Sequence, residues 1–226
     1  MRFGKWHGAF SGKKMKNKGF FITLEGGEGC GKSTQLPLLA EALRGMFPGR
    51  EVVAARSPGG TPVAEKIRAL LKERMAEEIA PETELLLFGA CHAQMTRTLI
   101  RPALERGAIL VSDRFFDSTI VYQGVARGLG KNTIRAVNAF ACGELKPDLT
   151  LLLDLDPSAG SRRAHARAAV ENDRFDSESP AFHQAIRAGF LALAQEEPDR
   201  FAVIDASGTV ESVHNAVMEA VRDKLA

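Results

Sequence analysis

Residues 20–33 read FFITLEGGEGCGKS, and this stretch decides the fold. Its first six residues, Phe20 to Glu25, form an apolar run typical of a β-strand, and a helical spacing of apolar residues begins at Lys32. Between strand and helix, residues 26–33 match the pattern G-x-x-x-x-G-K-[ST] of a phosphate-binding P-loop. Strand, glycine-rich turn and helix in this order are the context that the motif requires. The stretch therefore predicts an α/β domain that binds a nucleoside triphosphate.

The loop supplies its own phosphate chemistry. Glycines let the backbone curl so that successive N–H groups point at phosphate oxygens, and the dipole of the next helix adds positive potential. In this motif Lys32 reaches the β- and γ-phosphates and Ser33 ligates Mg²⁺. In the simpler interpretation Cys30 is an unreactive loop residue. In the alternative it is a reactive thiol, because thiol pKa values fall at helix N-termini. The predicted ATP-binding residues are Gly26, Gly27, Glu28, Gly29, Cys30, Gly31, Lys32, Ser33 and Thr34.

Outward from the loop, short apolar strands alternate with helical patterns, which is typical of a parallel sheet covered by helices. Four further strands are predicted at 51–56, 108–112, 149–154 and 201–205. Helices are predicted at 32–44, 62–72, 81–106, 117–143 with a break near 128–130, 158–170, 180–196 and after 209, with Thr61 and Thr209 as N-caps. We predict a three-layer α/β/α P-loop NTPase fold whose ligand site lies beyond the carboxyl ends of the five strands.

The composition is that of an ordinary globular protein, with 45% hydrophobic and 26% charged residues in a chain of 226. The apolar runs are shorter than the roughly 18 residues that a membrane-spanning helix needs. Three cysteines without close pairing favour reduced thiols over a secreted disulfide framework. We therefore expect a cytoplasmic protein.

The first 18 residues hold six basic side chains, and no acidic residue precedes Glu25. The remaining chain has 24 basic and 28 acidic residues, so the formal net charge of +2 comes from this leader and does not indicate a nucleic-acid or membrane partner. We expect residues 1–18 to be a flexible basic leader, either a tag remnant or an extension before an initiator at Met15. A nucleic-acid-binding arm is the alternative. Residues 19–226 are expected to form one domain.

Three further stretches resemble motifs of the thymidylate kinase family, of the bacterial type that carries extra arginines in its lid, and the resemblance runs from about Phe20 to the C-terminus. The stretches are RSPGGTPVAEKIR at 56–68, ELLLFGACHAQ at 84–94 and LVSDRFFDSTIVYQG at 110–124. A GTPase fits less well, because the near matches to its D-x-x-G and N-K-x-D motifs, at 205–208 and 145–148, come in reverse order.

The resemblance implies a kinase that transfers the γ-phosphate of ATP to thymidine 5′-monophosphate (dTMP) in dTTP biosynthesis, with Mg²⁺ and as a homodimer. It also implies a strand order of 2-3-1-4-5 and a small helical lid. In the family, residues matching Arg68 and Arg114 grip the acceptor phosphate, and the match to Phe88 stacks on thymine. By this resemblance, the predicted dTMP-binding residues are Glu28, Arg56, Ser57, Arg68, Phe88, His92, Arg114, Ser118 and Gln123. The predicted metal-side residues are Ser33 and Asp113, with the carboxylate acting directly or through water.

A basic stretch, SRRAHARAAVENDRFDSES at 161–179, resembles the lid that closes over ATP, expected at about 160–179. A mobile basic lid supplies cations around the transferred oxygens and excludes water, the competing acceptor. We favour Arg167 and Arg174 for the phosphate contacts, and a helix whose arginines only solvate its face is the alternative. The predicted catalytic residues are Lys32, Arg114, Arg167 and Arg174.

Two positions depart from the family pattern. Ser57 stands where the block R-E-P-G-G has glutamate, and His92 stands four residues after Phe88, where the family has arginine. Histidine is shorter than arginine and mostly neutral near pH 7, although one helical turn still places it on the face of Phe88. Two alternatives stay open: a kinase for another pyrimidine monophosphate, and a nucleotide-binding regulatory module without turnover. Without the resemblance, Phe88 reads as a core aromatic and Asp113–Arg114 as a surface ion pair.

Overall fold

A computed structural model describes residues 18–167 and 178–225 of the chain. Within this part, five strands form one parallel sheet in the order β2-β3-β1-β4-β5, as the family resemblance implies. The strands are β1 (Phe20–Glu25), β2 (Val52–Arg56), β3 (Ile109–Asp113), β4 (Leu149–Asp154) and β5 (Phe201–Asp205). In register, Leu24 of β1 is flanked by Asp113 of β3 and Leu151 of β4, so the chain segments that follow these three strands leave the sheet side by side.

The helices are α1 (Lys32–Met46), α2 (Pro62–Lys72), α3 (Pro81–Met95), α4 (Arg101–Glu105), α5 (Phe116–Thr119), α6 (Lys131–Cys142), α7 (Pro157–Arg167), α8 (Pro180–Glu196) and α9 (Val210–Leu225). Two π-helical segments, Thr96–Ile100 and Ile120–Ala126, interrupt stretches that the sequence predicts as α-helix. The predicted break near 128–130 is confirmed, because Gly128 and Gly130 adopt left-handed φ values of 78° and 81°.

Both predicted caps are confirmed. The hydroxyl of Thr61 accepts a hydrogen bond from Ala64 N at 3.3 Å, and α2 begins with Pro62, whose missing N–H costs nothing there. The hydroxyl of Thr209 accepts from Ser212 N at 3.1 Å at the start of α9. These caps fix where each helix leaves its preceding loop.

The sheet is covered on both faces, which confirms the three-layer prediction. Consecutive strand residues point to opposite faces, so Phe21 packs with the cluster that contains Phe115 and Phe190, while Ile22 packs with the cluster that contains Leu39 and Val217. The first cluster joins the sheet to α3, α6 and α8, and the second joins it to α1 and α9. A core on each face holds the strand ends rigidly in place.

A buried ion pair ties α5 to the start of β5. Asp117 is fully buried and accepts two hydrogen bonds from Arg200, at 2.7 and 2.9 Å. Arg200 also donates to Thr150 Oγ1 at 2.7 Å, and Thr150 pairs with Thr23 across the sheet at 3.0 Å. We call these four residues the Asp117–Arg200 network.

Some predictions lie outside the described residues. These are the leader up to residue 17 and the lid residues 168–177, which include Arg174. The helix expected at 158–170 is present as α7 up to Arg167. Among the described helices, none is long and apolar enough to cross a membrane.

Candidate functional site

A cavity of about 380 Å³ opens where the P-loop meets α2, α3 and the segment after β3. It lies at the carboxyl ends of the strands, as the fold predicts. The predicted site residues that line it are Glu28, Gly29, Lys32, Ser33, Arg56, Ser57, Arg68, Phe88, His92, Asp113, Arg114, Ser118 and Gln123. The other predicted loop residues, Gly26, Gly27, Cys30, Gly31 and Thr34, are not among the lining residues. Residues from the predicted ATP side and the predicted acceptor side therefore share one cavity.

Lys32 is buried against its own loop. Its ammonium donates hydrogen bonds to the carbonyl oxygens of Gly26 and Gly27, at 3.1 and 2.7 Å, and to Cys30 Sγ at 3.3 Å. Its three N–H donors match these three acceptors in number. A phosphate that binds Lys32 would exchange its contacts with carbonyl oxygens for an ion pair.

The first turn of α7 rests on the P-loop, backbone against backbone. A Cβ atom added to Gly160 would lie 2.3 Å from Glu28 O, and one added to Gly29 would lie 2.1 Å from Gly160 O. Gly29 also has a left-handed φ of 65°. Glycine at both positions lets the start of the predicted lid contact the phosphate-binding loop directly.

Arg114 is held in place at the edge of the P-loop. It follows β3 with a left-handed φ of 68°, a conformation that costs a side-chain-bearing residue about 1 to 3 kcal/mol. Its guanidinium donates to Gly26 O, Ser118 Oγ and Tyr122 Oη, each at 3.0 Å. The strain and the three hydrogen bonds fix a cation beside the phosphate loop before any substrate binds.

Glu25, which was not predicted as a site residue, holds the segment around Arg114 in place through its hydrogen bonds. The side chain is fully buried at the end of β1 and accepts from Phe115 N at 2.8 Å and from Ser118 Oγ at 2.6 Å. Burial, and to a lesser extent the charge of Asp117, raise the pKa of Glu25 to about 7. The carboxyl group thus holds the turn that carries Arg114, which lies 4.0 Å away.

The two arginines of the second block have different partners. Arg68 donates to Pro58 O at 2.9 Å, which turns it toward the loop after β2. Arg56, whose side chain is about half exposed, pairs with Glu65 at 2.9 Å. Glu65 also accepts from Gly60 N at 2.8 Å, so this carboxylate holds both Arg56 and the glycine turn in position.

Phe88 and His92 line the cavity from the same face of α3, as the one-turn spacing predicts. His92 is 1% exposed, and burial lowers its pKa to about 4, so the imidazole is neutral at physiological pH. Its ring packs edge-on against Phe115 at 5.2 Å. His92 Nδ1 has no hydrogen-bond partner among the described residues, and the same holds for the hydroxyl of Ser57, which is 3% exposed.

Gln123 lies in the π-helical segment 120–126, with Glu84 of α3 beside it. Gln123 Nε2 donates to Glu84 Oε1 at 2.7 Å, and Arg127 Nε lies 3.4 Å from the same oxygen. Glu84 was not among the predicted site residues, although it stands one helical turn before Phe88 on α3.

The described lid arginines bind protein groups rather than the cavity. Arg163 donates to Ala206 O at 2.8 Å and to Ser207 O at 3.0 Å, and Arg162 donates to Ser158 Oγ at 3.3 Å. The backbone of Arg167 ends the described part of α7, and Arg174 lies outside the described residues. Their predicted phosphate contacts stay predictions.

Comparisons with known proteins agree on one family. The family model for thymidylate kinase matches residues 24–217. Thymidylate kinase of Geobacter sulfurreducens is 46% identical over 211 residues, covering 92% of this chain and 98% of that protein. Thymidylate kinase of Pseudomonas fluorescens strain Pf-5 is 49% identical over 199 residues, covering 88% and 93%.

A solved structure agrees with the sequence relatives. The crystal structure of thymidylate kinase from Ehrlichia chaffeensis matches with a TM-score of 0.75 at 31% identity, covering 90% of this chain and 99% of that one. The relatives agree with the strand order and with the cavity at the P-loop. The chain belongs to the thymidylate kinase family.

Proposed function

We propose that this chain is an ATP-dependent dTMP kinase, which transfers the γ-phosphate of ATP to dTMP and yields dTDP and ADP for dTTP synthesis. The observation that carries the proposal is the shared cavity. Lys32 and Ser33 of the phosphate loop line it together with Phe88 and Arg114 of the acceptor side. A cavity with this lining suits a donor phosphate and a nucleoside monophosphate bound end to end.

On the donor side, the loop N–H groups and Lys32 bind the β- and γ-phosphates. Ser33 and Asp113 offer a hydroxyl and a carboxylate oxygen in the same cavity, and Mg²⁺ takes such oxygens together with water and substrate phosphates. When bound, Mg²⁺ would neutralise charge on the phosphate oxygens. We assign the nucleotide contacts of the loop to residues 26–34.

On the acceptor side, Arg68 and Arg114 grip the phosphate of dTMP. Arg114 is already fixed by three hydrogen bonds, so little conformational freedom is lost when the substrate binds. Holding the acceptor oxygen in line with the γ-phosphate lowers the entropic part of the barrier. The acceptor oxygen is already anionic, so the reaction needs no strong general base.

The nucleoside lies between Phe88 and the polar wall formed by Ser57, His92 and Gln123. Stacking on an aromatic ring is worth about 1 to 3 kcal/mol per base. The neutral imidazole of His92 offers one N–H donor to a carbonyl oxygen of the base. Glu28 contacts the sugar, and Arg56 and Ser118 complete the walls of the acceptor site.

Arg167 and Arg174 of the lid supply further positive charge to the transferred phosphoryl group. The contact of Gly160 with the P-loop supports this assignment, because movement of α7 is thereby coupled to the loop that holds ATP. A closed lid would also exclude water.

A homodimer is part of the proposal. Phe140 on α6 is 92% exposed and Leu86 on α3 is 62% exposed, and α3 packs against α6. A second copy that packs on both α3 and α6 would bury both side chains. Sedimentation velocity should show a dimer that Phe140→Glu converts to monomer, and a monomeric wild type would contradict this part.

We place the protein in the cytoplasm, since Cys30, Cys91 and Cys142 are free thiols.

The test is ADP release with ATP and Mg²⁺ in the presence of dTMP. Lys32→Ala should lower the dTMP-dependent rate at least about a hundredfold, because the lost charge faces the phosphates, while melting stays cooperative. The matched control is Lys66→Ala, an exposed lysine of α2, which should keep the wild-type rate. Turnover retained in Lys32→Ala contradicts the proposal. A wild type that no monophosphate stimulates supports the regulatory module instead, and a faster reaction with another pyrimidine monophosphate supports the paralogue.

A further inference from the structure

The amide of Gln123 has a defined orientation before any nucleotide binds. Gln123 is 1% exposed, lines the cavity and donates through Nε2 to Glu84 Oε1 at 2.7 Å. A carboxylate only accepts hydrogen bonds, so the group that faces it must be the NH₂ of the amide and not the oxygen. The hydrogen bond to Glu84 uses Nε2, which leaves Oε1 as the amide atom of Gln123 for a ligand in the cavity.

Glu84 is itself held as an acceptor. It is 1% exposed, and its Oε1 lies 3.4 Å from Arg127 Nε. Arg127 pairs in turn with Glu178 at 2.6 Å and lies over the ring of Phe182, with 4.8 Å from the guanidinium carbon to the centroid. A cation fixed on this side offsets the cost of burying the carboxylate. Glu84 therefore keeps its role as acceptor toward Gln123.

We propose that Glu84 is a positioning residue, which fixes the amide of Gln123 with its oxygen toward the base and so selects pyrimidines whose donor is a ring N–H. This inference rests on the proposed function. Thymine and uracil present an N–H at the ring position between two carbonyl groups. Cytosine has an acceptor there, and its donor is the exocyclic amino group. With the amide free to turn over, Gln123 could meet either pattern, whereas the carboxylate of Glu84 permits only one.

Selectivity is therefore a property of the pair Glu84–Gln123. Replacement of Glu84 by glutamine leaves a group of the same size that can donate as well as accept, so the amide of Gln123 is no longer fixed. The ratio of kcat/KM for dTMP to that for dCMP should fall about tenfold, which is the effect of one hydrogen bond. The change should lie in KM, because Gln123 faces the base and not the transferred phosphate. A purely structural defect would lower both activities alike and leave the ratio unchanged.

The experiment is a double-mutant cycle with wild type, Glu84→Gln, Gln123→Ala and the double variant, in which kcat/KM is measured for dTMP and dCMP. Glu82→Gln, at an exposed position of the same helix, is the matched control and should keep the wild-type ratio. We expect Glu84→Gln to change the ratio in the wild-type background and to have no further effect when Gln123 is alanine. A wild-type ratio in Glu84→Gln, or an undiminished effect in the Gln123→Ala background, overturns the proposal.

Two further readouts separate this inference from the proposed function. Calorimetric affinities for dTMP and dCMP report the same selectivity without turnover. A wild type that binds both nucleotides but lacks kinase activity would therefore contradict the proposed function and leave the role of Glu84 testable. NMR of the side-chain amide of Gln123, assigned by its loss in Gln123→Ala, needs no variant at Glu84. NH₂ protons that are protected from solvent exchange in the nucleotide-free protein, one of them shifted downfield by its hydrogen bond to the carboxylate, support the inference. NH₂ protons with the exchange rate and chemical shifts of a free amide overturn it, even if Glu84→Gln fails to fold.

Discussion

The ion pair of Asp117 and Arg200 and the cavity residues Ser57 and His92 are about equally buried, yet they differ in hydrogen bonding. In the Asp117–Arg200 network, four hydrogen bonds of 2.7 to 3.0 Å connect the side chains. Ser57 Oγ and His92 Nδ1 have no partner among the described residues. The two regions therefore use buried polar groups in opposite ways.

This difference distinguishes buried polar groups that stabilise the fold from buried polar groups that are available to a ligand. An unsatisfied buried polar atom costs about 1 to 3 kcal/mol, so folding alone does not favour one. A satisfied network fixes the elements it joins, here α5 and the sheet. Unpartnered atoms in the wall of a cavity are available for a ligand, and the cost of leaving them unpaired is recovered when the ligand binds. Gln123 lines the same cavity.

The largest expected effect comes from breaking the satisfied region. Arg200→Met leaves the buried charge of Asp117 without its partner, which should lower the free energy of unfolding by about 3 to 5 kcal/mol. Urea unfolding measures this change. The ratio of kcat/KM for dTMP to that for dCMP should stay at the wild-type value in the folded fraction. A loss below about 1 kcal/mol would contradict the structural role of the network.

The next prediction concerns the contact between α7 and the P-loop. The Cβ of Gly160→Ala would lie 2.3 Å from Glu28 O, so one of two backbone segments must move. We expect kcat/KM for ATP to fall about tenfold to a hundredfold, because misplaced catalytic groups cost rate steeply. Gly45→Ala on α1 is the matched control, since nothing lies within 4 Å of its added Cβ. Equal activity of the two variants would show that the contact does not position the loop.

The third prediction tests the unsatisfied region. His92→Leu replaces the imidazole by an apolar side chain of similar size and removes the unpartnered nitrogen. The free energy of unfolding should stay unchanged or rise by about 1 kcal/mol, while KM for dTMP should rise about tenfold. Chemical unfolding and initial-rate kinetics measure the two effects. Destabilisation with an unchanged KM would reverse the assignment of His92.

The last prediction is a pH dependence of stability. The folded-state pKa of His92 is about 4, below the ordinary 6.5, because burial disfavours the imidazolium. Between these values the unfolded chain binds a proton that the folded chain does not, so His92 costs the fold stability as pH falls from 6.5 toward 4. The slope reaches at most about 1.4 kcal/mol per pH unit. The stability of wild type relative to His92→Leu should fall over this range and stay constant above pH 7. Parallel curves would exclude a neutral, buried His92.

Much of the fold and of the donor side could be predicted from the sequence, since the signals are local. Residues 26–33 are consecutive and lie between a strand and a helix, and Thr61 and Thr209 cap their helices through bonds to residues three positions away. The π-helical segments 96–100 and 120–126 were not predicted, because apolar spacing over a few residues does not separate π- from α-helix.

The polar wall of the cavity, with Ser57, His92 and Gln123, was predicted only in part. His92 was placed on the face of Phe88 from the helical period alone. The packing of distant elements determines that His92 Nδ1 and Ser57 Oγ lack partners among the described residues. It also brings Glu84 into contact with Gln123, which follows it by 39 residues in the sequence. Hydrogen-bond satisfaction is a property of the folded chain, so sequence spacing does not reveal it.

The most direct test is a crystal structure of the protein with dTMP and a non-hydrolysable ATP analogue. We expect thymine to stack on Phe88 and the phosphate of dTMP to lie between Arg68 and Arg114. We also expect His92 Nδ1 and Ser57 Oγ to gain partners within about 3.2 Å, from the nucleotide or from water that it orders. Thymine bound elsewhere, or both atoms still unpartnered beside a bound nucleotide, would contradict this expectation.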